Sequence, residues 1–136
     1  MVEKNSINLK EVTQFSKISQ KWWSTTGPFK ALHHMNFLRL SYIKNNTIKH
    51  FKKKLNYINS NQPLRGLKFL DIGCGGGIIT EPICRMGAQV TAIDPSINSI
   101  KIAKEHSNSQ SLNIDYICCS AEQLVQKQNE EKLYLP

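Results

Sequence analysis

The feature that most constrains this chain is the run FLDIGCGGG at residues 69–77, followed by a second apolar run, TAID, that closes on Asp94. The first run reads as a buried strand that stops at an acidic residue, Asp71, and turns through Gly73, Gly75 and Gly77. Glycine suits such a turn because it takes torsions other residues avoid, and because it lets a bulky ligand approach the main chain. Asp94 lies 21 residues after Gly73, about where a Rossmann-type unit places the carboxylate that grips ribose hydroxyls. Three glycines alone are also what any tight turn would use. With an aspartate on each side, they describe a nucleoside-binding α/β half-domain.

The spacing narrows the nucleoside. A dinucleotide site has the pattern G-x-G-x-x-G, which counted from Gly73 would place its last glycine at Ile78. Here it comes one residue early, giving D-x-G-x-G-x-G over 71–77. The surrounding sequence alternates strands and helices. Strands are expected at 67–72, 89–93 and 114–118. Helices are expected at 78–86, stopped by Gly87; at 95–106, with Pro95 in the first helical position; and at 120–128. This alternation predicts a parallel sheet, the N-terminal half of a doubly wound, Rossmann-like α/β fold. Upstream, helical apolar spacing marks 10–23, and Gly27-Pro28 breaks it. A second helix is expected to start at Asn36 as its N-cap and run to about residue 55, with a polar connector at 56–66. The chain thus divides into an N-terminal helical, basic segment, 1–66, and a partial nucleoside-binding domain, 67–136. No fourth strand follows the third, so the sequence reads as truncated, and an apolar strand left without its neighbour is an aggregation hazard.

Charge follows the same division. Residues 1–66 hold twelve Lys or Arg and two acids, whereas 67–136 hold six bases and eight acids, which together give the net +8. A basic N-terminal half suggests an anionic partner, nucleic acid or lipid headgroups; a merely solvated basic face is the plainer alternative. No apolar run is long enough for a membrane span, and the N-terminus lacks the apolar core of a signal peptide, so a cytoplasmic location is expected. The four cysteines, Cys74, Cys84, Cys118 and Cys119, show no metal or disulfide spacing and read as small packing residues.

The glycine pattern resembles the first motif of class I methyltransferases, which bind S-adenosylmethionine and have no pyrophosphate to cradle. The likeness extends further. FSKISQKWW, GPFKALHHMNFLRLSYI and FLDIGCGGGIITEPICRMGAQVTAIDPS resemble the ubiquinone biosynthesis O-methyltransferase family over about residues 11–124. Trp22-Trp23, their spacing to Gly27, Phe29 and Lys30, and Leu38-Arg39-Leu40 carry more specificity than the glycine motif. The resemblance implies a class I enzyme that methylates phenolic oxygens of polyprenylated intermediates, with S-adenosylmethionine as methyl donor.

The family's cofactor contacts fall on Arg39, Gly73 and Asp94. Arg39 would hold the methionine carboxylate, Gly73 would admit the cofactor and Asp94 would accept from the ribose. Asp71 and Gly75 join them from the general motif, and the turn Ser120-Ala121-Glu122 falls where adenine is flanked. The implied partners are a polyprenyl phenol or catechol, an anionic membrane surface and other ubiquinone-biosynthesis proteins, with no nucleic acid. The implied location is peripheral to the inner membrane, with Trp22-Trp23 and Lys52, Lys53 and Lys54 as lipid contacts.

The family's proline after Asn36 is replaced by Phe37, and the region expected to carry the base or a divalent metal site is absent from this chain. No catalytic residue or metal ligand is therefore assigned. His33 and His34 are neighbours that cannot both line one site. Two other readings stay open: a non-catalytic remnant that binds a membrane or partner through its basic half, and a nicotinamide-dependent dehydrogenase half-domain.

Overall fold

Strands β1 (Lys68–Ile72), β2 (Gln89–Asp94) and β3 (Asp115–Cys118) lie side by side in that order, and both pairings are parallel. Asp71 sits opposite Ala92 in the first ladder, and Asp94 opposite Cys118 in the second. Among the described residues four helices complete the order: α1 (Lys30–His50) before the sheet, α2 (Thr80–Arg85) after β1, α3 (Ile97–Ser109) after β2 and α4 (Ala121–Leu133) after β3. This computed structural model describes residues 8–9, 21–52 and 61–133. The expected helix at 10–23 falls outside the described residues for most of its length. So do much of the connector and the expected end of the second helix.

The middle strand sets the core. Val90, Ala92 and Ile93 are all buried, and consecutive buried residues mean cover on both faces, the environment of a parallel strand with neighbours on each side. One cluster packs Leu64, Leu67, Ile83, Ala88 and Val90, with Leu40, Ile43 and Ile48 of α1 against it. A second joins Cys74, Ala92, Ile100, Ala103 and Tyr116. Ile100 is fully enclosed, so cutting it back to alanine would cost about 2–5 kcal/mol. Strand β1 is covered less completely: Leu70 is 49% exposed and Ile72 61%. Among the described residues β1 has a neighbour on one edge only.

All four helix starts differ from expectation, that of α2 by two residues, at Thr80 rather than 78. Helix α1 begins at Lys30 rather than Asn36. The turn through Gly27 and Pro28 leads straight into it, with the Lys30 N–H donating to Gly27 O at 3.1 Å. Asn36 lies inside the helix and spends its amide elsewhere, donating to Ile78 O at 3.1 Å. Pro95 does not open α3; Ser96 caps it, its Oγ accepting from the Ser99 N–H at 3.3 Å. A serine oxygen satisfies one of the orphan N–H groups at a helix start, which proline cannot do. Helix α4 starts one residue late for the same reason. Ser120 Oγ accepts from the Gln123 N–H (3.1 Å), while Gln123 Oε1 accepts from the Ser120 N–H (2.8 Å), a reciprocal capping box.

Candidate cofactor site

The site is built where β1 and β2 end. The chain leaves β1 after Ile72 and reverses with Gly73, Gly75 and Gly77 at φ of 77°, 55° and 91°, a left-handed region costly to any residue with a Cβ. The turn is tied to β2 by two bonds: the Gly73 and Cys74 N–H groups both donate to Ile93 O, at 2.8 and 3.0 Å. Asp94, the last residue of β2, closes it. Its Oδ2 accepts from the Gly75 N–H at 3.0 Å and its Oδ1 from the Ser96 N–H at 2.8 Å. One carboxylate thus joins the glycine turn to the start of α3. A carboxylate offers about four acceptor positions, so one on each oxygen remains for a ligand.

The glycines do different jobs. A Cβ on Gly73 would meet nothing within 4 Å, so its open side is available to a ligand. The equivalent positions on Gly75 and Gly76 are occupied by the indole of Trp22, and that on Gly77 by the Tyr116 hydroxyl. These three are glycines because protein atoms crowd the main chain.

Asp71, the last acidic residue of β1, accepts from the Thr80 hydroxyl at 2.7 Å. Burial holds its carboxyl above the usual range, with the negative charge of Asp94 adding a little. The Thr80 hydrogen bond and the positive charge of Arg39 pull the other way. Arg39 is exposed on α1, close enough for its charge to favour the ionised form of Asp71. The structure therefore brings Asp71, Gly73, Gly75 and Asp94 to one end of the sheet, with Arg39 beside them on α1. Cys74 is buried in the turn, and desolvation, reinforced by Asp71 and Asp94, pushes its thiol far up. Such a thiol carries almost no thiolate and fits a packing role.

Several functional positions were not visible as such in the sequence. Thr80 as the partner of Asp71 and Asn36 as a tether to the turn had no local signal. Ser120 is buried, and its hydroxyl accepts the N–H that caps α4. Trp22 and Trp23 are not lipid-facing. Trp22 is 9% exposed and Trp23 is half-buried, both against the glycine turn. Of the expected basic contacts, Lys53 and Lys54 lie outside the described residues. His33 and His34 do diverge: His33 is partly buried with Nε2 2.8 Å from Trp22 O, and His34 is exposed. Among the described residues no three His, Cys, Asp or Glu side chains stand close enough to hold a metal ion.

Residues 69–134, which contain the turn and both aspartates, match the family model described as a methyltransferase domain. That stretch of the chain carries a methyltransferase-domain match. It is 50% identical over 123 residues to the ubiquinone biosynthesis O-methyltransferase of Pelagibacter ubique (strain HTCC1062), covering 90% of this chain and 50% of that protein. It is 45% identical over 121 residues to the mitochondrial ubiquinone biosynthesis O-methyltransferase of Arabidopsis thaliana, covering 88% of this chain and 37% of that one. The chain therefore spans half or less of the length of these curated relatives.

Among solved structures it resembles the SAM-dependent methyltransferase from Agrobacterium tumefaciens, with a TM-score of 0.51 and 22% identity over 71% of this chain and 28% of that one. It also resembles magnesium protoporphyrin IX methyltransferase from Synechocystis PCC 6803, solved with bound SAH. There the TM-score is 0.51 and the identity 17%, over 79% of this chain and 47% of that one. The two likenesses support the Rossmann-like sheet. The family match removes the dehydrogenase reading.

Proposed function

We propose that this chain binds S-adenosylmethionine at the ends of β1 and β2 and supplies the cofactor half of an O-methyltransferase that acts on phenolic oxygens of polyprenylated ubiquinone precursors. The observation that carries the reading is the pairing of an open Gly73 with an Asp94 carboxylate that keeps acceptor capacity after holding the turn. In this role Asp94 accepts from the ribose hydroxyls, Gly73 lets the ligand approach the main chain, and Arg39 offers its guanidinium to the methionine carboxylate, a match of planar charged groups. Asp71 keeps the turn in place through Thr80 and balances Arg39. When bound, S-adenosylmethionine supplies an electrophilic methyl group on a sulfonium. No described residue is placed to take the phenol proton, so that part of the chemistry is not assigned to this chain.

Titration calorimetry tests the reading. S-Adenosylhomocysteine should bind the chain, an analogue lacking both ribose hydroxyls should bind at least about tenfold more weakly, since each bond to a charged group contributes about 1.5–3 kcal/mol, and NADH should not compete. Absence of binding, or equal affinity for the two ligands, would refute it.

A polyprenylated acceptor resides in lipid, and we propose an anionic membrane surface at the cytoplasmic side of the inner membrane as the second partner. The support is α1, where Met35, Leu38 and Tyr42 are exposed at helical spacing, with Lys49 exposed on the same helix. The net charge of residues 1–66 adds to it, each cation near a lipid surface contributing about 1 kcal/mol. Binding to phosphatidylglycerol vesicles that fades with salt and with Leu38→Glu is expected; equal binding to neutral vesicles would refute it.

A further inference from the structure

The glycine turn is held from outside as well as from within. Three glycines at positive φ make it intrinsically permissive, and such a segment loses more freedom on ordering than any other. Asp94 and Ile93 hold its inner side. On the outer side lie the two tryptophans, which belong to the segment before α1. The Trp22 ring fills the space beside Gly75 and Gly76, and Trp23 Nε1 donates to Gly76 O at 2.9 Å. That bond fixes the peptide plane between Gly76 and Gly77, whose N–H donates across the turn to Cys74 O at 3.1 Å.

Both tryptophans are themselves fixed. Trp22 Nε1 donates to Ser99 Oγ at 3.2 Å, its ring stacks on Phe29 with centroids 3.7 Å apart, and its carbonyl lies 2.8 Å from His33 Nε2. A carbonyl can only accept, so that His33 nitrogen carries the proton. Trp23 stacks on His106 at 3.6 Å and an interplanar angle of 2°. His106 Nδ1 in turn lies 2.6 Å from Oε2 of Glu81, a fully buried residue of α2 that also pairs with Arg85 at 3.2 Å. A buried carboxylate with two partners is difficult to displace, so the chain of contacts from Glu81 through His106 to Trp23 is anchored in the core.

We propose that Trp22 and Trp23 are positioning residues: they fix the shape of the glycine turn, and through it the affinity for the cofactor, without touching the cofactor themselves. The proposal rests on the S-adenosylmethionine site argued above. Trp23→Phe is the sharpest variant, because it keeps a ring to stack on His106 while removing the N–H given to Gly76. Ser99→Ala is the second, leaving the Trp22 N–H without its partner.

Two measurements separate the possibilities. Amide exchange at Gly75 and Gly77 reads the turn and needs no ligand. Calorimetry with S-adenosylhomocysteine, at a temperature where every variant is fully folded, reads the site. In Trp23→Phe we expect exchange at both glycines to speed up and the dissociation constant to rise, each by about three- to tenfold, the worth of one hydrogen bond. Ser99→Ala should move both in the same direction. Unchanged exchange would overturn the clamp, and faster exchange with unchanged affinity would overturn its link to the cofactor, as expected if the tryptophans only stabilise the fold. If the unaltered chain binds no S-adenosylhomocysteine, the cofactor reading and the affinity half of this proposal both fall. Glycine exchange then decides the clamp alone.

Discussion

Asp94→Asn removes one acceptor from a carboxylate that now serves two backbone donors. In the folded chain Oδ2 holds the Gly75 N–H and Oδ1 the Ser96 N–H, at 3.0 and 2.8 Å. An asparagine can accept only one of them. Its NH₂ must then face the other donor, so one bond to a charged acceptor is lost and a buried N–H is left without a partner. A bond of that kind contributes about 1.5–3 kcal/mol, against a total stability of roughly 5–15 kcal/mol for a domain. With about 4 °C of melting temperature per kcal/mol at this size, the midpoint should fall by about 6–12 °C. Thermal unfolding followed by far-ultraviolet circular dichroism at pH 7 measures it. Asp115→Asn, at the exposed start of β3, serves as the control and should shift little. If Asp94→Asn melts within a degree or two of the control, Asp94 does not hold the turn. The same reasoning shows that weakened cofactor binding in an alanine variant would not by itself identify a ribose contact, because the turn would have come apart as well.

Two further outcomes follow from the same geometry. Gly73→Ala should stay folded, losing about 1–2 kcal/mol to its left-handed backbone, and bind S-adenosylhomocysteine poorly. Gly76→Ala, whose new methyl would run into the Trp22 ring, should lower the melting point far more; the reverse order would refute the division of labour among the glycines. Asp71→Asn should stabilise the chain at neutral pH. Burial raises the folded-state pKa of Asp71 above its unfolded value near 3.8, so the wild-type side chain favours folding most when protonated, below that value. It loses this contribution as pH climbs through the raised pKa. The gain of the asparagine variant should therefore be small at pH 3 and grow with pH to a plateau, and a gain independent of pH would refute it.

The sequence made the sheet legible because β-type apolar runs, glycines and aspartates alternate with little ambiguity, and the placement of Asp71, Gly73, Gly75 and Asp94 at one end of the sheet followed from the motif. Legibility failed where a side chain's partner is distant along the chain. Asn36 is a good N-cap by residue type, and nothing local says that its amide would reach Ile78. Pro95 suits a first helical position, yet Ser96 beside it caps better. The tryptophan pair has the composition of a lipid-facing anchor, and only the tertiary packing shows the rings against the glycine turn. By contrast, Ser120 and Gln123 form a capping box that the S-x-x-Q spacing could have revealed.

The placement of Trp22 and Trp23 also has an optical consequence. The chain contains only these two tryptophans, one over Gly75 and Gly76 and the other bonded to Gly76 O. Light absorbed selectively by indole is therefore absorbed entirely beside the proposed cofactor turn. A rearrangement there, whether from a ligand, a glycine substitution or a loosened α3, should register in the indole emission of this chain. The molecule carries a native fluorophore at the place where a labelled probe would otherwise have to be introduced.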